Sequence, residues 1–519
     1  MSVVRAVFVV LGLACVPTAV AQLPPSGGLV SFPRQKKTFE ELAKDLGDRR
    51  AGRRAEAVRG LAGLASLEAW KLVICALADG EAEVADEAQL ALAGMEDPAA
   101  AALLASSAGL GSGTALVRRR AAEALGRVPA AVDASAFVRF LGAQDVDVRR
   151  LIAWSLERRA RGRRVPAEDV SALSRALVPL ATKDAAPPVR AAAIAALAEI
   201  DPAAARSIVA AAVAKGDAVV RCAALASARV LDPAEPVEFA KKHLANGPFA
   251  VRATALELVG AEGTKPACRV LVDRLERESS LRLRWIAVRE LQRLSGSDVE
   301  LNLPFWKAWV ERLADDWTFA PRTGAEAGNR KPQREPLGPE TSQFLGLEIG
   351  SEALAILIDL SGSIRLPGKD GKVAKDVVDR ELGRTLDGFS KRTRFNLVPY
   401  GTKPERWAEA CRPATKETVA DAKRFFAATD AGGYGNLWAA LELALQDPEV
   451  ENLLVLTDGQ ITASEHVNVE LVRELLVERL RFRKIAVDVL LVGARPLRQA
   501  PWRALCAATG GRMLAVELE

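Results

Sequence analysis

The sequence predicts two architectures in one chain: an α-helical solenoid of short repeats, followed by an α/β doubly wound, mostly parallel sheet. Three observations carry the prediction. Between residues 50 and 300, an apolar residue followed by Arg opens an Ala-rich helix again and again. Residues 321–343 then run through Pro, Gly, Arg, Glu and Asn without periodicity, which reads as a linker. Beyond Phe344, short continuous apolar runs alternate with amphipathic stretches, the pattern of a buried parallel sheet between helices.

Composition agrees. A chain of 519 residues is too long for one core, and with half its residues apolar and 26% charged it is globular. Two Tyr, nine Trp and fifteen Phe are few, which favours close-packed helices over a β-sandwich. A net charge of +5 is small for this length and argues against a dedicated nucleic-acid binder. With only His243 and His466, chemistry that needs a histidine cluster is excluded, zinc of the HExxH type included.

Taken in chain order, the first element is an export signal. Arg5 supplies the positive charge, Ala6 to Ala14 the short apolar stretch, and Ala19-Val20-Ala21 the small-x-small site, so residues 1–21 are expected to leave before Gln22. Cys15 raises a rival lipid-modified reading, to which Gly12-Leu13-Ala14 is a poor approach. Export implies a periplasmic, surface or secreted protein, and nothing downstream is apolar enough for long enough to span a bilayer. An N-terminal segment, 22–44, follows. Cys75, Cys222, Cys268, Cys411 and Cys506 are odd in number and scattered, which suits small buried hydrophobes, with a single Cys411–Cys506 bridge as an alternative.

The repeats are placed at 45–320. Val58-Arg59, Val117-Arg118, Val148-Arg149, Val189-Arg190, Val220-Arg221, Val251-Arg252 and Leu283-Arg284 mark them, and from Val84 onward the spacings run from 31 to 41 residues. That period without strand signals means stacked helix pairs. Val189, Ala192, Ala193, Ala196 and Leu197 form one apolar stripe whose small members let neighbours approach. Asp97-Pro98, Asp201-Pro202 and Asp232-Pro233 punctuate the turns as caps and helix openers. Val189-Arg190-Ala191-Ala192-Ala193-Ile194-Ala195-Ala196-Leu197 resembles the second helix of a HEAT repeat, a likeness that implies a concave surface offered to a protein partner. The recurrent arginines are expected to brace adjacent turns. The denser run Arg149, Arg150, Arg158, Arg159, Arg161, Arg163 and Arg164 reads as a solvated face, or alternatively as a patch for an acidic partner or polyanion. Trp306, Trp309 and Trp317 are expected to close the open end of the stack, with a carbohydrate platform as the alternative.

Residues 344–519 form the second domain. Strands are expected at 353–360, 395–400, 452–457, 485–492 and 513–518, with helices at about 374–389, 416–428, 436–446, 467–482 and 498–508. Two motifs fall at the carboxyl ends of strands, where such sheets bind ligands. They are Asp359-Leu360-Ser361-Gly362-Ser363 and Leu456-Thr457-Asp458-Gly459. A carboxylate and two hydroxyls from one tight turn, joined by a second carboxylate from another strand, make a hard oxygen cage suited to Mg²⁺, Mn²⁺ or Ca²⁺.

These motifs resemble the von Willebrand factor type A domain and its metal-ion-dependent adhesion site. The resemblance implies that Ser361 and Ser363 ligate the cation directly, that Asp359 and Asp458 ligate or act through water, and that an acidic side chain of a protein partner takes the open position. The family's loop carries a Thr ligand, whereas Ala431-Gly432-Gly433-Tyr434-Gly435-Asn436-Leu437-Trp438 places Gly435 there; Asn436, Asp430 or water are the substitutes. The expected function is non-enzymatic, metal-dependent capture of a protein partner. A metal-free scaffold with a decayed site is the alternative. A hydrolase built on Ser361, Asp458 and His466 is a third, opposed by a solvated His466 with no orienting base and by the absence of a Gly-x-Ser-x-Gly elbow.

Overall fold

Helices whose buried stripes are mostly Ala, Val and Leu can stack at short range, and the N-terminal part of the chain does so. The structure, a computed structural model, describes residues 37–231, 236–245, 247–320, 342–362, 374–429, 432–493 and 496–517. The expected signal at 1–21, Cys15, nearly all of the linker, Asp232-Pro233, Ser363, Asp430 and Ala431 lie outside the described residues. The helices are α1 (Phe39–Asp45), α2 (Ala51–Leu64), α3 (Leu67–Cys75), α4 (Ala82–Ala91), α5 (Pro98–Leu104), α6 (Ala115–Arg127), α7 (Ala134–Leu141), α8 (Val146–Arg161) and α9 (Val170–Lys183). They continue as α10 (Pro187–Ile200), α11 (Pro202–Lys215), α12 (Ala218–Leu231), α13 (Pro236–Leu244), α14 (Phe249–Glu262), α15 (Lys265–Arg277), α16 (Leu281–Ser295) and α17 (Leu303–Glu311). From α2 to α16 each even-numbered helix packs on the next even-numbered one, and the odd-numbered helices form a second row behind them.

Local chemistry explains the joints. Asp97 and Asp201 accept the N–H of Ala99 at 2.8 Å and of Ala204 at 3.0 Å, ahead of prolines in the first turns of α5 and α11. Arg149 donates to the Ala143 and Gln144 carbonyls behind it and to Asp184 at 2.8 Å in the next turn. Arg190 does the same with Asp184 O and Asp217, and Arg252 reaches Glu278. In the first pair this brace belongs to Arg54, bonded to Asp48 O and Asp79, rather than to Arg59. At the far end Trp306 is fully buried, edge-on to Trp309 at 5.9 Å, which is edge-on to Trp317 at 5.9 Å, so the tryptophans are packing groups.

The second part begins with a hairpin, β1 (Ser342–Phe344) and β2 (Leu347–Ile349). It continues through β3 (Ala353–Asp359), α18 (Ala374–Asp387), β4 (Arg394–Tyr400), β5 (Arg412–Pro413), α19 (Lys416–Ala428), α20 (Leu437–Ala444), β6 (Asn452–Thr457), α21 (Val469–Leu480), β7 (Ala486–Val492), α22 (Pro496–Thr509) and β8 (Met513–Val516). The sheet order is β5-β4-β3-β6-β7-β8, parallel throughout except β5 against β4. Alternate residues of β3 enter two cores: Ala355 and Leu357 pack on α20 and α21, while Leu354, Ile356 and Ile358 pack on α18 and α19. Cys411 and Cys506 are free and buried, so no bridge joins them.

The two parts are docked, and residues from Phe39 onward form one unit. Phe482 packs on the helical core and Leu90 on the sheet's core. Most of the dense arginine run is spent on this joint and on the helices themselves, while Arg161 and Arg163 remain exposed, so it is not the single solvated face or free polyanion patch that was expected. Arg150 pairs with Glu478, and Arg158 lies 3.5 Å from Glu474. Arg159, 2% exposed, donates to the Leu125, Val128 and Ala130 carbonyls. Arg164 donates to the Gly126 and Val128 carbonyls. Arg481 meets Glu157, Lys484 pairs with Glu257, and Arg282 and Arg289 both donate to Gly510 O. The even-numbered row therefore binds the chain's own second domain where a partner surface was expected. Among the described residues no helix is long and apolar enough to cross a membrane.

Candidate metal centre

An open parallel sheet collects ligand-binding groups where successive strands depart to opposite sides. Here that point lies beyond the ends of β3 and β6, because β4 flanks β3 on one side and β6 on the other. Asp359 ends β3 beside Tyr400 of β4, and Thr457 ends β6, with Asp458 the next residue. Three of the four expected ligands, Asp359, Ser361 and Asp458, thus come to one edge; Ser363 lies outside the described residues.

Asp359 is 4% exposed. Its Oδ1 accepts the Ser361 N–H at 2.9 Å and its Oδ2 accepts the Thr457 hydroxyl at 3.4 Å. Burial pushes its carboxyl up to about 6, against the pull of the Ser361 N–H and hydroxyl, and the Asp458 charge adds to the rise. Asp458 makes a tight turn, its Oδ1 accepting the Gln460 N–H at 2.8 Å. Thr457 accepts the N–H of Gly459, which sits at φ +85° as this turn requires. Among the described residues neither aspartate forms an ion pair with a basic side chain. Among those residues, then, two carboxylates meet at one edge without a compensating cation. The Tyr400 hydroxyl, 1% exposed, lies near Thr457 and Asp359 but makes no well-aligned hydrogen bond among the described residues, and burial together with the Asp359 charge pushes it well above the usual phenol range.

The loop from Gly432 to Asn436 covers the site. Tyr434 N donates to Thr402 Oγ1 at 3.1 Å and Asn436 N to Gly401 O at 2.9 Å. Gly435 N donates to Thr462 Oγ1 at 2.8 Å, and Thr462 N returns a bond to Gly435 O at 3.0 Å. A Cβ on Gly435 would stand 3.3 Å from Asp359 Oδ2, so this backbone touches the carboxylate where a ligating side chain would begin. Asn436 is no substitute ligand, because its Oδ1 caps α20 by accepting the Ala439 N–H at 3.2 Å. Tyr434 is 63% exposed at the rim.

Asp359, Ser361, Thr457 and Asp458 offer oxygen alone, and that donor set fits a hard divalent cation. Sequence reasoning gave no role to Thr457, Tyr400 or Thr462. Thr457 stood in a quoted motif, but Tyr400 is recognisable only once β4 is known to be the neighbour of β3. His466 corrects the expectation of a solvated side chain without a base. It is 4% exposed, with Nδ1 3.1 Å from Asp86 Oδ1 on α4 and Nε2 3.4 Å from Glu465 Oε1. With both ring nitrogens engaged by carboxylates, it is not placed to serve as a base for Ser361.

A family model described as von Willebrand factor type A domain matches residues 352–513. Human inter-alpha-trypsin inhibitor heavy chain H4 is 29% identical over 132 residues, covering 23% of this chain and 14% of that protein's length. A von Willebrand factor type A structure from Catenulispora acidiphila is 18% identical and covers 33% of this chain and 39% of that one, with a TM-score of 0.27. The complex of CpcE and CpcF of phycocyanin lyase from Nostoc is 20% identical and covers 56% of this chain and all of that one, with a TM-score of 0.28.

Proposed function

We propose, from the premise that residues 352–513 are a von Willebrand factor type A domain, that this chain is an exported, non-enzymatic binding protein that captures a protein partner through a divalent cation. Asp359, Ser361, Ser363 and Asp458 would hold Mg²⁺, Mn²⁺ or Ca²⁺, with Thr457 orienting Asp359. When bound, the cation supplies an open coordination position for an acidic side chain of the partner. The observation that supports this most directly is the buried Asp359 carboxylate beside the Asp458 charge, which among the described residues forms no ion pair with a basic side chain. The helical part, in our reading a HEAT-like stack, acts as the holder of the type A domain. A metal-free scaffold is the second reading, favoured by the Gly435 backbone in place of a ligating side chain.

The test is titration calorimetry and thermal unfolding of the chain from Gln22 with each cation, beside Asp359→Asn and Asp458→Ala. A cation that binds only the native state raises its melting temperature by mass action. Saturable binding lost in both variants is expected. No binding at millimolar cation would leave the scaffold reading.

A further inference from the structure

We infer that Asp86 and Arg120, two residues of the helical part, position the metal-edge segment 458–468 of the type A domain. The consequence for cation binding rests on the metal reading proposed above; the positioning itself does not.

Segment 458–468 joins β6 to α21 and has no helix or strand of its own. One end carries Asp458. Its middle is tied to the loop over the site by the two bonds between Thr462 and Gly435. Ser464 Oγ then accepts the N–H of Trp438 at 3.1 Å, and the His466 ring lies edge-on to Trp438 at 4.8 Å. Trp438 is in the first turn of α20, three residues after Gly435. At the remaining end Val467 packs on the sheet's core and Asn468 caps α21, but the backbone bonds of Glu465 O, Val467 N and Asn468 N go to the helical part. Asp86, fully buried on α4, accepts His466 Nδ1 at 3.1 Å, Val467 N at 2.7 Å and Asn468 N at 2.9 Å. Arg120 of α6, 2% exposed, donates to Asp86 Oδ1 at 2.6 Å and to Glu465 O at 2.6 Å.

This frame is braced from behind. Gln89 accepts from Arg120 at 2.9 Å and donates to Glu123 at 2.8 Å, and Glu123 is paired with Arg127. Three backbone groups within four residues (Glu465 O, Val467 N and Asn468 N) therefore have partners more than 340 residues away in the chain. Without Asp86 two backbone N–H groups would lose their acceptor, and the buried Arg120 guanidinium would lose its ion-pair partner. A segment without ladder hydrogen bonds answers such a loss by opening locally. The shape of the loop that presents Asp458 and Thr462 is thereby conditional on a carboxylate in the other domain. Asp86 and Arg120 are positioning residues, since neither is placed at the metal edge.

The experiment compares the full chain with Asp86→Asn, Arg120→Lys and, as a docking control remote from this segment, Glu257→Gln, which removes only the pair with Lys484. Amide hydrogen exchange is followed residue by residue, and Mg²⁺ and Mn²⁺ affinity is measured in parallel. In Asp86→Asn and Arg120→Lys, exchange at Gln460, Thr462, Val467 and Asn468 is expected to quicken at least tenfold while α8 and α10 keep their protection. Cation affinity should fall at least tenfold. Glu257→Gln should leave both within twofold. Unchanged exchange in segment 458–468 overturns the inference, as does equal loss in Glu257→Gln, which would make the effect general undocking. Wild type that binds no cation, with exchange still quickened in Asp86→Asn, would sink the metal reading while supporting the positioning.

Discussion

Replacing Glu157 by Met removes one half of an interdomain ion pair and leaves the other charge in place. The Glu157 carboxylate, 1% exposed on α8, accepts Arg481 Nη1 at 2.9 Å, and its second oxygen lies 2.7 Å from Arg481 Nη2 without the alignment of a hydrogen bond. Arg161 also approaches it at 2.7 Å, but with 57% exposure can return to water at little cost. Arg481 cannot: its side chain is 18% exposed, and the guanidinium sits 4.1 Å from the ring centre of Phe482. Removing one partner of a buried pair costs about 3–5 kcal/mol, and the partial exposure of Arg481 sets the value at the lower end, about 3 kcal/mol. The double variant Glu157→Met with Arg481→Met replaces both charges by apolar chains of similar length. It should lie within about 1 kcal/mol of wild type, since a buried pair is rarely worth more than good packing. Guanidinium unfolding followed by tryptophan fluorescence and circular dichroism gives the three stabilities, and docking predicts that both probes report one transition in wild type. A single variant that loses less than about 1 kcal/mol, or a double as weak as the single, would refute the buried-charge account of the joint.

Three further outcomes follow from particular contacts. Gly435 has no positive φ, so Gly435→Thr is conformationally allowed and sets a hydroxyl beside Asp359 after a shift of a few tenths of an ångström. One more oxygen on a charged centre is worth about 1.4 kcal/mol, so Mg²⁺ affinity by calorimetry should rise about tenfold. Burial, with Glu352 beside it, raises the Glu451 carboxyl from its ordinary 4.5 to about 7. The native state therefore holds this proton where the unfolded chain has lost it. Its contribution to stability is full below 4.5 and fades as pH rises to 7, and Glu451→Gln should flatten that part of the stability profile. On Gly126 a Cβ would meet Ser155 Oγ at 2.8 Å and Cα at 3.0 Å, so Gly126→Ala should part α6 from α8 and cost about 1–3 kcal/mol in thermal unfolding.

The strands of the type A domain were legible almost residue by residue. Runs such as Ala353–Asp359 and Asn452–Thr457 are apolar on both faces, because helices cover both, and few other structures tolerate that. The hairpin Ser342–Ile349 escaped because three-residue strands mixing polar and apolar residues have no period to detect. At the site, Asp359, Ser361 and Asp458 could be placed together because strand ends of a parallel sheet share an edge. Tyr400 could not, since its neighbour is set by strand order. The same limit governs His466. Its solvated reading followed from local polarity, while its burial is set by Asp86, 380 residues earlier.

The arginines show what this limit means for function. Their spacing was legible, and the brace expected of them is what Arg149, Arg190 and Arg252 provide. The partners of Arg120, Arg150 and Arg158 were not, because they lie in Glu465, Glu478 and Glu474 of the other domain. A helical stack read alone thus offers a charged row and suggests a guest; with the whole chain present, the guest is the type A domain. It follows that residues 344–519 cut free of the stack would expose Glu478 and Arg481 and release segment 458–468 from Asp86. Cation binding measured on that fragment should be weaker than on the whole chain. Equal affinity in the two would show that the metal edge holds its shape without the helical part.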